Sequence, residues 1–157
     1  RLNNLYFRFN LSHTNGLVAC ALTIKHDIGI DLEWRSRSNM IDTIAKKNFS
    51  NSELSYFKNS PPTEQRMVFF SFWTLKESYI KAIGKGLHEQ LDSFAFDLDT
   101  LEISFLRKND IRNKNCWSFN LFTPSQEHLC ALCVAHPNSA PKGINYRHIF
   151  WHDLFTQ

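Results

Sequence analysis

The sequence lacks several features that would define a protein class at once. It contains no apolar run approaching the roughly 20 residues of a membrane span, no internal repeat and no low-complexity segment. Its formal net charge is only +3, from 18 Lys and Arg against 15 Asp and Glu, and no recognition motif accompanies its basic clusters. We therefore expect a soluble, cytoplasmic protein that binds neither a membrane nor nucleic acid.

The cysteines are too few and too scattered to indicate a metal site or a redox site. Cys130 and Cys133 have a Cys-x-x-Cys spacing, but they lie within the apolar run 129–135. Residues i and i+3 of a strand point to opposite faces of the sheet, so these thiols could not share one zinc ion. We predict that both thiols are buried and free.

The pattern that is present predicts a single α+β domain. A chain of 157 residues with 43% hydrophobic and 14% aromatic residues can bury a core of its own. No Gly or Pro interrupts residues 64–83, and Gly84 provides a stop, which together predict one long helix. We expect an antiparallel sheet packed on that helix. The predicted strands are 7–11, 17–23, 28–34, 94–98, 102–106, 117–122 and 129–135, and the predicted helices are 40–49, 52–58 and 63–83.

The strand Ile28–Trp34 carries two candidate functional residues on one face. Apolar residues alternate along it, so Asp31 and Glu33 point to the same side, together with Gly29. Two carboxylates this close repel each other unless a cation or hydrogen-bond donors lie between them. Oxygen ligands alone favour Mg²⁺ or a similar hard ion. The spacing leaves open the alternative of a polar, solvated strand face.

The long helix carries a third carboxylate beside two lysines. Glu77 directly follows Lys76 and precedes Lys81 by four residues. Helical spacing predicts that all three lie on one stripe with Trp73. Lysines beside a metal-binding carboxylate suggest an anionic, phosphorylated substrate. Taken alone, Glu77 and Lys81 could equally form an ordinary surface ion pair.

These two patterns and their neighbours resemble the signature series of the 4′-phosphopantetheinyl transferases. The matching segments, in chain order, are Asn-Leu-Ser-His at 10–13, Gly-Ile-Asp-Leu-Glu at 29–33, Phe-Trp-Thr-Leu-Lys-Glu-Ser-x-x-Lys at 72–81, Gly-Lys-Gly-Leu at 84–87 and Ala-His-Pro at 135–137. The first and last of them resemble the larger, Sfp-type branch of the family. The resemblance covers most of the chain, and the segments have the family's order and separation.

The resemblance implies an activity and a metal site. Enzymes of this family transfer the phosphopantetheine arm of coenzyme A to a serine of an acyl or peptidyl carrier protein and release adenosine 3′,5′-bisphosphate. By motif, Asp31, Glu33 and Glu77 would bind Mg²⁺, which would hold the pyrophosphate. Glu77 is also implied as the base for the serine, so Glu77 and Lys81 are the expected catalytic residues.

The resemblance further implies how the co-substrate coenzyme A is bound. Lys76 and Lys81 would contact its phosphates. Ser12 and His13 would contact its phosphate groups as well, including the 3′-phosphate. A histidine by itself is more often a structural hydrogen-bonding residue, so the expectation for His13 depends on its Ser-His context.

The partner and the extent of the domain follow from the same resemblance. Carrier proteins of this class are generally acidic, and the basic residues Arg35, Arg37, Lys46 and Lys47 could steer such a partner. Sfp-type enzymes consist of two similar halves with the coenzyme A site between them. We therefore expect an N-terminally incomplete transferase domain at 1–137 and a tail at 138–157, with an oligomer possible if another chain supplies the missing half.

Two other functions remain open at the level of the sequence. The chain could be a weakly active fragment that only binds carrier protein. It could also be a different metal-dependent phosphate enzyme that uses the same carboxylates.

Overall fold

The structure is a computed structural model that describes residues 6–37, 40–86, 89–107, 116–136, 143–147 and 149. Every predicted helix and strand lies within these ranges, and the α+β class is confirmed. The predicted boundary at 137–138 and most of the predicted tail lie outside the described residues. No helix in the described ranges is long and apolar enough to cross a membrane.

The elements follow the predicted order with small shifts of their ends. The strands are β1 (Phe7–Thr14), β2 (Leu17–Ile24), β3 (Ile28–Trp34), β4 (Phe94–Phe96), β5 (Ile103–Phe105), β6 (Trp117–Ser125) and β7 (His128–Ala135). The helices are α1 (Ile41–Asn48), α2 (Asn51–Asn59) and α3 (Pro62–Ile83). The bounds of β3 match the prediction, whereas β1 continues beyond its predicted end at residue 11 to Thr14.

The strands form three separate antiparallel ladders, not the single sheet that the sequence predicted. The central sheet has the order β3-β7-β6, and the hairpins β1-β2 and β4-β5 pair only within themselves. All residues of β7 are buried, as expected for a central strand covered on both faces. Its neighbour β3 lies at the edge of this sheet, so one side of β3 has no strand partner in the sheet.

The two faces of the central sheet belong to two different apolar clusters. One face packs on α3 and includes Cys133 with the buried Phe69, Phe72 and Tyr79. The opposite face includes Cys130 and packs under the β1-β2 hairpin. Both thiols are buried and free, as predicted, because residues i and i+3 of the strand point to opposite faces.

Different residues determine where α3 begins and where it ends. At its C-terminus the predicted stop is confirmed, because Gly84 adopts the left-handed conformation with φ of 66°. At its N-terminus, the sequence Ser60-Pro61-Pro62 is typical of a capped helix start, but the Ser60 side chain does not cap α3. The Ser60 hydroxyl instead donates to the carbonyl of Tyr56, and α3 begins behind Pro61 without a side-chain cap.

Candidate functional site

An open pocket of about 420 Å³ lies between β1, β3 and α3. It brings together most of the residues that the sequence singled out, although they are far apart along the chain. Its lining residues are Leu11, Ser12, His13, Thr14, Asp31, Leu32, Glu33, Arg37, Trp73, Glu77 and Lys81. Lys76 is the one predicted site residue that does not line it.

The pocket depends on an unusually close approach of strand and helix at Gly29. A Cβ atom at this position would lie 2.0 Å from the carbonyl oxygen of Ser78 and 2.5 Å from the amide nitrogen of Ala82. Only a residue without a side chain allows the two backbones to approach so closely. The face of β3 that carries Asp31 and Glu33 is therefore covered by α3, and both carboxylates are only 6% exposed. The alternative of a solvated strand face is thereby excluded.

The two carboxylate oxygens of Asp31 have different environments in the pocket. Its Oδ1 atom accepts hydrogen bonds from Nζ of Lys81 at 2.8 Å and from the hydroxyl of Ser12 at 3.4 Å. Its Oδ2 atom is buried and has no hydrogen-bond partner. Burial raises the pKa of Asp31, and the positive charge of Lys81 opposes that rise. The structure thus leaves one buried carboxylate oxygen ready to accept a ligand.

Glu33 is held by two donors from different directions. Nε1 of Trp73 donates to its Oε1 at 2.9 Å, and the guanidinium of Arg37 lies 3.1 Å from its Oε2. Burial, and next the negative charge of Asp31, raise the pKa of Glu33 to about 7, although Arg37 and Trp73 act in the opposite direction. Trp73 and Arg37 therefore orient this carboxylate and partly compensate its charge.

Glu77 is half-buried at the wall of the same pocket. Burial raises its pKa, the charge of Asp31 raises it further, and Lys81 lowers it. The three predicted carboxylates are therefore close enough to affect one another electrostatically, as Asp31 also raises the pKa of Glu33. A cation placed among them would relieve this repulsion.

Lys76 occupies a different environment from the one expected for a phosphate ligand. Its ammonium is fully buried, lies 2.8 Å from Oε2 of Glu53 and donates to the carbonyls of Leu91 and Phe94. Three acceptors use all three of its donors. The prediction that Lys76 contacts coenzyme A is therefore corrected, because the helix turns this side chain away from the pocket into the core.

Ser12 and His13 are adjacent in the sequence, but the Ser12 side chain is buried and hydrogen-bonded whereas His13 is exposed. The Ser12 hydroxyl accepts from the amide of Leu32 at 3.1 Å and from Nζ of Lys81 at 3.0 Å, and donates to Asp31. The Ser12 hydroxyl thus bonds to β3 and to α3 at the pocket wall, and its contact with coenzyme A stays a prediction. His13 is exposed at the pocket, where an anion can reach it.

Three functional side chains were not assigned a site role from the sequence. Trp73 was only placed on one helical stripe with the lysines, Arg37 was assigned to a basic cluster that could steer a partner, and Asn10 was only part of a motif. The ion pair of Glu33 with Arg37 depends on the turn that follows β3, and no spacing in the sequence indicated it. Alternation along β1, in contrast, placed Asn10 on the same side as Ser12.

The fit of Mg²⁺ to this pocket depends on how many protein ligands the ion requires. No three His, Cys, Asp or Glu side chains within the described ranges are arranged closely enough to hold a metal ion as they stand. Mg²⁺ is usually bound by one or two carboxylates, with waters and substrate phosphates as the other ligands. The unpartnered Oδ2 of Asp31 and the oxygen-only donor set meet that smaller requirement.

Comparison with known proteins identifies the family. The family model described as the 4′-phosphopantetheinyl transferase superfamily matches residues 27–133, and the chain therefore belongs to this superfamily. The 4′-phosphopantetheinyl transferase HetI of Nostoc sp. strain PCC 7120 is 30% identical over 146 residues, covering 92% of this chain and 55% of that protein. The 4′-phosphopantetheinyl transferase Sfp of Bacillus subtilis strain 168 is 34% identical over 130 residues, covering 83% and 56%.

Solved structures support the fold and the relatives show the extent of the match. The holo-[acyl-carrier-protein] synthase of Thermotoga maritima superposes with a TM-score of 0.56 at 22% identity, covering 70% of this chain and 62% of that one. A holo-(acyl-carrier-protein) synthase from Bacillus anthracis, solved in complex with CoA (3′,5′-ADP), gives 0.55 at 19% identity, covering 69% and 94%. The chain spans about half the length of the curated relatives it matches.

Proposed function

We propose that this protein transfers the 4′-phosphopantetheine group of coenzyme A to a serine of an acyl or peptidyl carrier protein, in a Mg²⁺-dependent reaction. The observation that carries the proposal is the pocket in which Asp31 and Glu33 of β3 lie opposite Glu77 and Lys81 of α3. Membership of the superfamily supports the same reaction. The absence of a membrane-spanning helix in the described ranges is compatible with a cytoplasmic location, which we also propose.

The carboxylates form the metal-binding part of the pocket. Asp31 would contribute its unpartnered Oδ2, and Glu33 and Glu77 would contribute oxygens directly or through water. Mg²⁺ would supply charge stabilisation for the pyrophosphate of coenzyme A. Arg37 and Lys81 pair with Glu33 and Asp31, so they hold these carboxylates in place and partly oppose the rise in pKa that burial causes.

The cationic side chains of the pocket form the anion-binding part. The Lys81 side chain is 28% exposed, so its ammonium lies near the surface while it bonds to Asp31. Its three donors already bond to Ser12, Asp31 and the carbonyl of Ile30, so Lys81 would contribute positive charge beside the pyrophosphate rather than a free hydrogen-bond donor. Phosphoryl transfer requires mainly positioning and charge stabilisation. His13 would contact another phosphate of coenzyme A from the β1 side of the pocket.

Glu77 is the proposed proton acceptor for the carrier serine. A serine hydroxyl is a weak nucleophile, and a carboxylate that removes its proton during attack accelerates the reaction. Burial raises the pKa of Glu77 in the metal-free protein, whereas a cation bound beside the carboxylate would lower it. The new bond joins the serine oxygen to the phosphorus that bears the pantetheine arm. The phosphoanhydride bond to the adenosine bisphosphate breaks, and the proton passes to Glu77.

The carrier protein is proposed to dock beside the pocket. Arg37 lines the pocket, and the exposed Lys46 and Lys47 lie in the last turn of α1. A cluster of positive charges attracts an acidic partner and orients it during encounter. We infer that these residues direct the serine of the carrier toward Glu77.

A further polypeptide region is proposed to complete the coenzyme A site. One face of the β1-β2 hairpin is apolar and open, with Phe7, Phe9 and Leu22 each more than 60% exposed. Such a continuous apolar face is typical of an interface. Another part of the same polypeptide or a second subunit could cover it, and an oligomer would follow in the second case.

Intact-mass spectrometry of apo carrier proteins tests the proposed reaction. We expect incubation with this protein, coenzyme A and Mg²⁺ to add one phosphopantetheine mass, and a chelator to prevent the addition. Asp31→Asn and Glu77→Gln should abolish it while circular dichroism shows an unchanged fold. Full activity in either variant would contradict the metal assignment.

The same assay separates the two alternative functions. Binding of the carrier without any mass gain, by a folded protein, would favour a binding-only fragment. Activity of an N-terminally extended protein would then show that the additional region is required for transfer. Hydrolysis of phosphoesters in the absence of any carrier would favour a different phosphate enzyme.

A further inference from the structure

The site strand β3 has one side without a backbone partner. In the order β3-β7-β6 it pairs on one side with β7, and the other side is a sheet edge. Backbone amides alternate in direction along a strand, so those of Ile30 and Leu32 point to this edge. Asp31 lies between them and carries the carboxylate that Lys81 contacts. An edge amide that is buried without a partner would destabilise this segment.

Two side chains of β1 bond to these amides in place of a strand. Oδ1 of Asn10 accepts from the amide of Ile30 at 3.0 Å, and Oγ of Ser12 accepts from the amide of Leu32 at 3.1 Å. Asn10 and Ser12 are two residues apart on β1, and they bond to two amides that are also two residues apart on β3. Arg8, at the preceding i−2 position of β1, continues the series with an ion pair to Asp27 at 3.0 Å.

Lys81 closes the arrangement from the helix side. Its Nζ donates to the carbonyl of Ile30 at 3.1 Å, to Oγ of Ser12 at 3.0 Å and to Oδ1 of Asp31 at 2.8 Å. Ser12 therefore links the free edge of β3 to the lysine of α3. Asn10 makes the neighbouring link without lining the pocket itself.

We propose that Asn10 and Ser12 are positioning residues that hold the edge of β3 through their side chains and so place Asp31 against Lys81. The ladder of side-chain bonds replaces the backbone ladder that an adjacent strand would provide. This role is additional to the contact with coenzyme A that the sequence predicted for Ser12. The link from the ladder to metal binding rests on the proposed function, whereas the ladder itself does not.

Amide hydrogen exchange, measured by NMR on the metal-free protein, directly tests the side-chain hydrogen bonds from β1 to the amides of β3. In the wild-type protein the amides of Ile30 and Leu32 should be protected although they lie at a sheet edge. Asn10→Ala should accelerate exchange of Ile30 by about 5- to 50-fold, because its buried amide loses its acceptor. The amides of Asp31 and Glu33, which face β7, should keep their protection. An unprotected Ile30 amide in the wild-type protein would overturn the inference without any variant.

Asn10→Asp serves as the conservative variant, because a carboxylate oxygen can accept the same hydrogen bond. It should restore protection at Ile30. Leu22→Ala, on the exposed face of the same hairpin, is the control and should change neither amide. Unaltered exchange of Ile30 in a folded Asn10→Ala protein would overturn the inference.

Titration with Mn²⁺ as the probe metal tests the consequence for Asp31. We expect Asn10→Ala to weaken Mn²⁺ binding by about 3- to 10-fold, as a lost positioning bond of about 1 kcal/mol implies, with Leu22→Ala close to wild type. Faster exchange at Ile30 with unchanged Mn²⁺ affinity would overturn the positioning role. A wild-type protein that binds no Mn²⁺ would instead contradict the proposed function and leave the exchange result unaffected.

Discussion

Lys76 and Glu53 form an ion pair in which neither side chain is exposed, with Nζ of Lys76 2.8 Å from Oε2 of Glu53. Glu53 also closes the capping box of α2 with Ser50 and accepts from the amide of Phe96 at 2.9 Å. The pair thereby fastens α2 and β4 to the site helix α3. Buried charges of this kind are tolerated only when every donor and acceptor is satisfied, as it is for the ammonium of Lys76.

We expect Lys76→Met to lower the free energy of unfolding by about 3–5 kcal/mol, because it leaves the charge of Glu53 buried without its partner. Urea denaturation measures this change. The double variant Lys76→Met with Glu53→Gln should recover part of the loss, since no unpaired charge then remains. If Lys76→Met were as stable as the wild-type protein but bound coenzyme A more weakly, Lys76 would be a phosphate ligand after all, and the structural role assigned to it here would be wrong.

Lys81→Ala should affect binding more than stability. Its side chain is 28% exposed and belongs to the pocket, so its removal takes a charge from the proposed pyrophosphate site. We expect the Kd for coenzyme A to rise by about 10- to 100-fold, because a positive charge about 4 Å from a phosphate contributes roughly 1–4 kcal/mol. Calorimetry with Lys58→Ala as a charge-matched control on α2 measures this. If both variants bound coenzyme A with equal affinity, the proposed role of Lys81 at the phosphates would be wrong.

Gly29→Ala should separate the site strand from the site helix. The added Cβ would lie 2.0 Å from the carbonyl oxygen of Ser78, so β3 and α3 would have to move apart. We expect a loss of about 2–4 kcal/mol in the free energy of unfolding and weaker Mn²⁺ binding.

Gly84→Ala provides the comparison for that variant. Gly84 has φ of 66° but open space around it, so alanine there introduces backbone strain of about 1–2 kcal/mol and no overlap. Denaturation curves in which Gly29→Ala loses less stability than Gly84→Ala would contradict the close approach of the two backbones.

The raised pKa of Glu33 predicts a pH-dependent stability of the metal-free protein. Its value rises from 4.5 to about 7, so the folded state binds this proton more tightly than the unfolded chain does. The contribution of Glu33 is therefore fully present below pH 4.5 and is lost as the pH rises through about 7, by at most about 3 kcal/mol. Asp31 and Glu77, whose pKa values are also raised, add to the same slope.

Glu33→Gln should reduce that slope, because its side chain no longer ionises. Urea denaturation between pH 5 and 8, with a chelator present, measures the effect, and Glu127→Gln at an exposed position is the control. Addition of Mg²⁺ at pH 8 should raise the stability of the wild-type protein by relieving the repulsion. A pH profile of Glu33→Gln identical to wild type would exclude Glu33 as a source of the slope.

Much of the fold could be predicted because its signals are local. The alternation in Ile28–Trp34 predicted β3 with its observed bounds, and the uninterrupted stretch before Gly84 predicted α3. The division of the strands into three ladders could not be predicted. Strand pairing depends on contacts between distant segments, and each strand pattern is compatible with several partners.

The sequence by itself determined which residue types meet at the site: two carboxylates on one strand face, and a third carboxylate with lysines on one helix. Only the tertiary structure decided which lysine serves the site. Lys76 and Lys81 are five residues apart and point about 140° apart around α3, so the packing of that helix buries the first against Glu53 and directs the second to Asp31. The role of Ser12 was decided in the same way, because a hydroxyl bonds to whichever donors the fold brings within about 3 Å, and here these are Leu32 and Lys81.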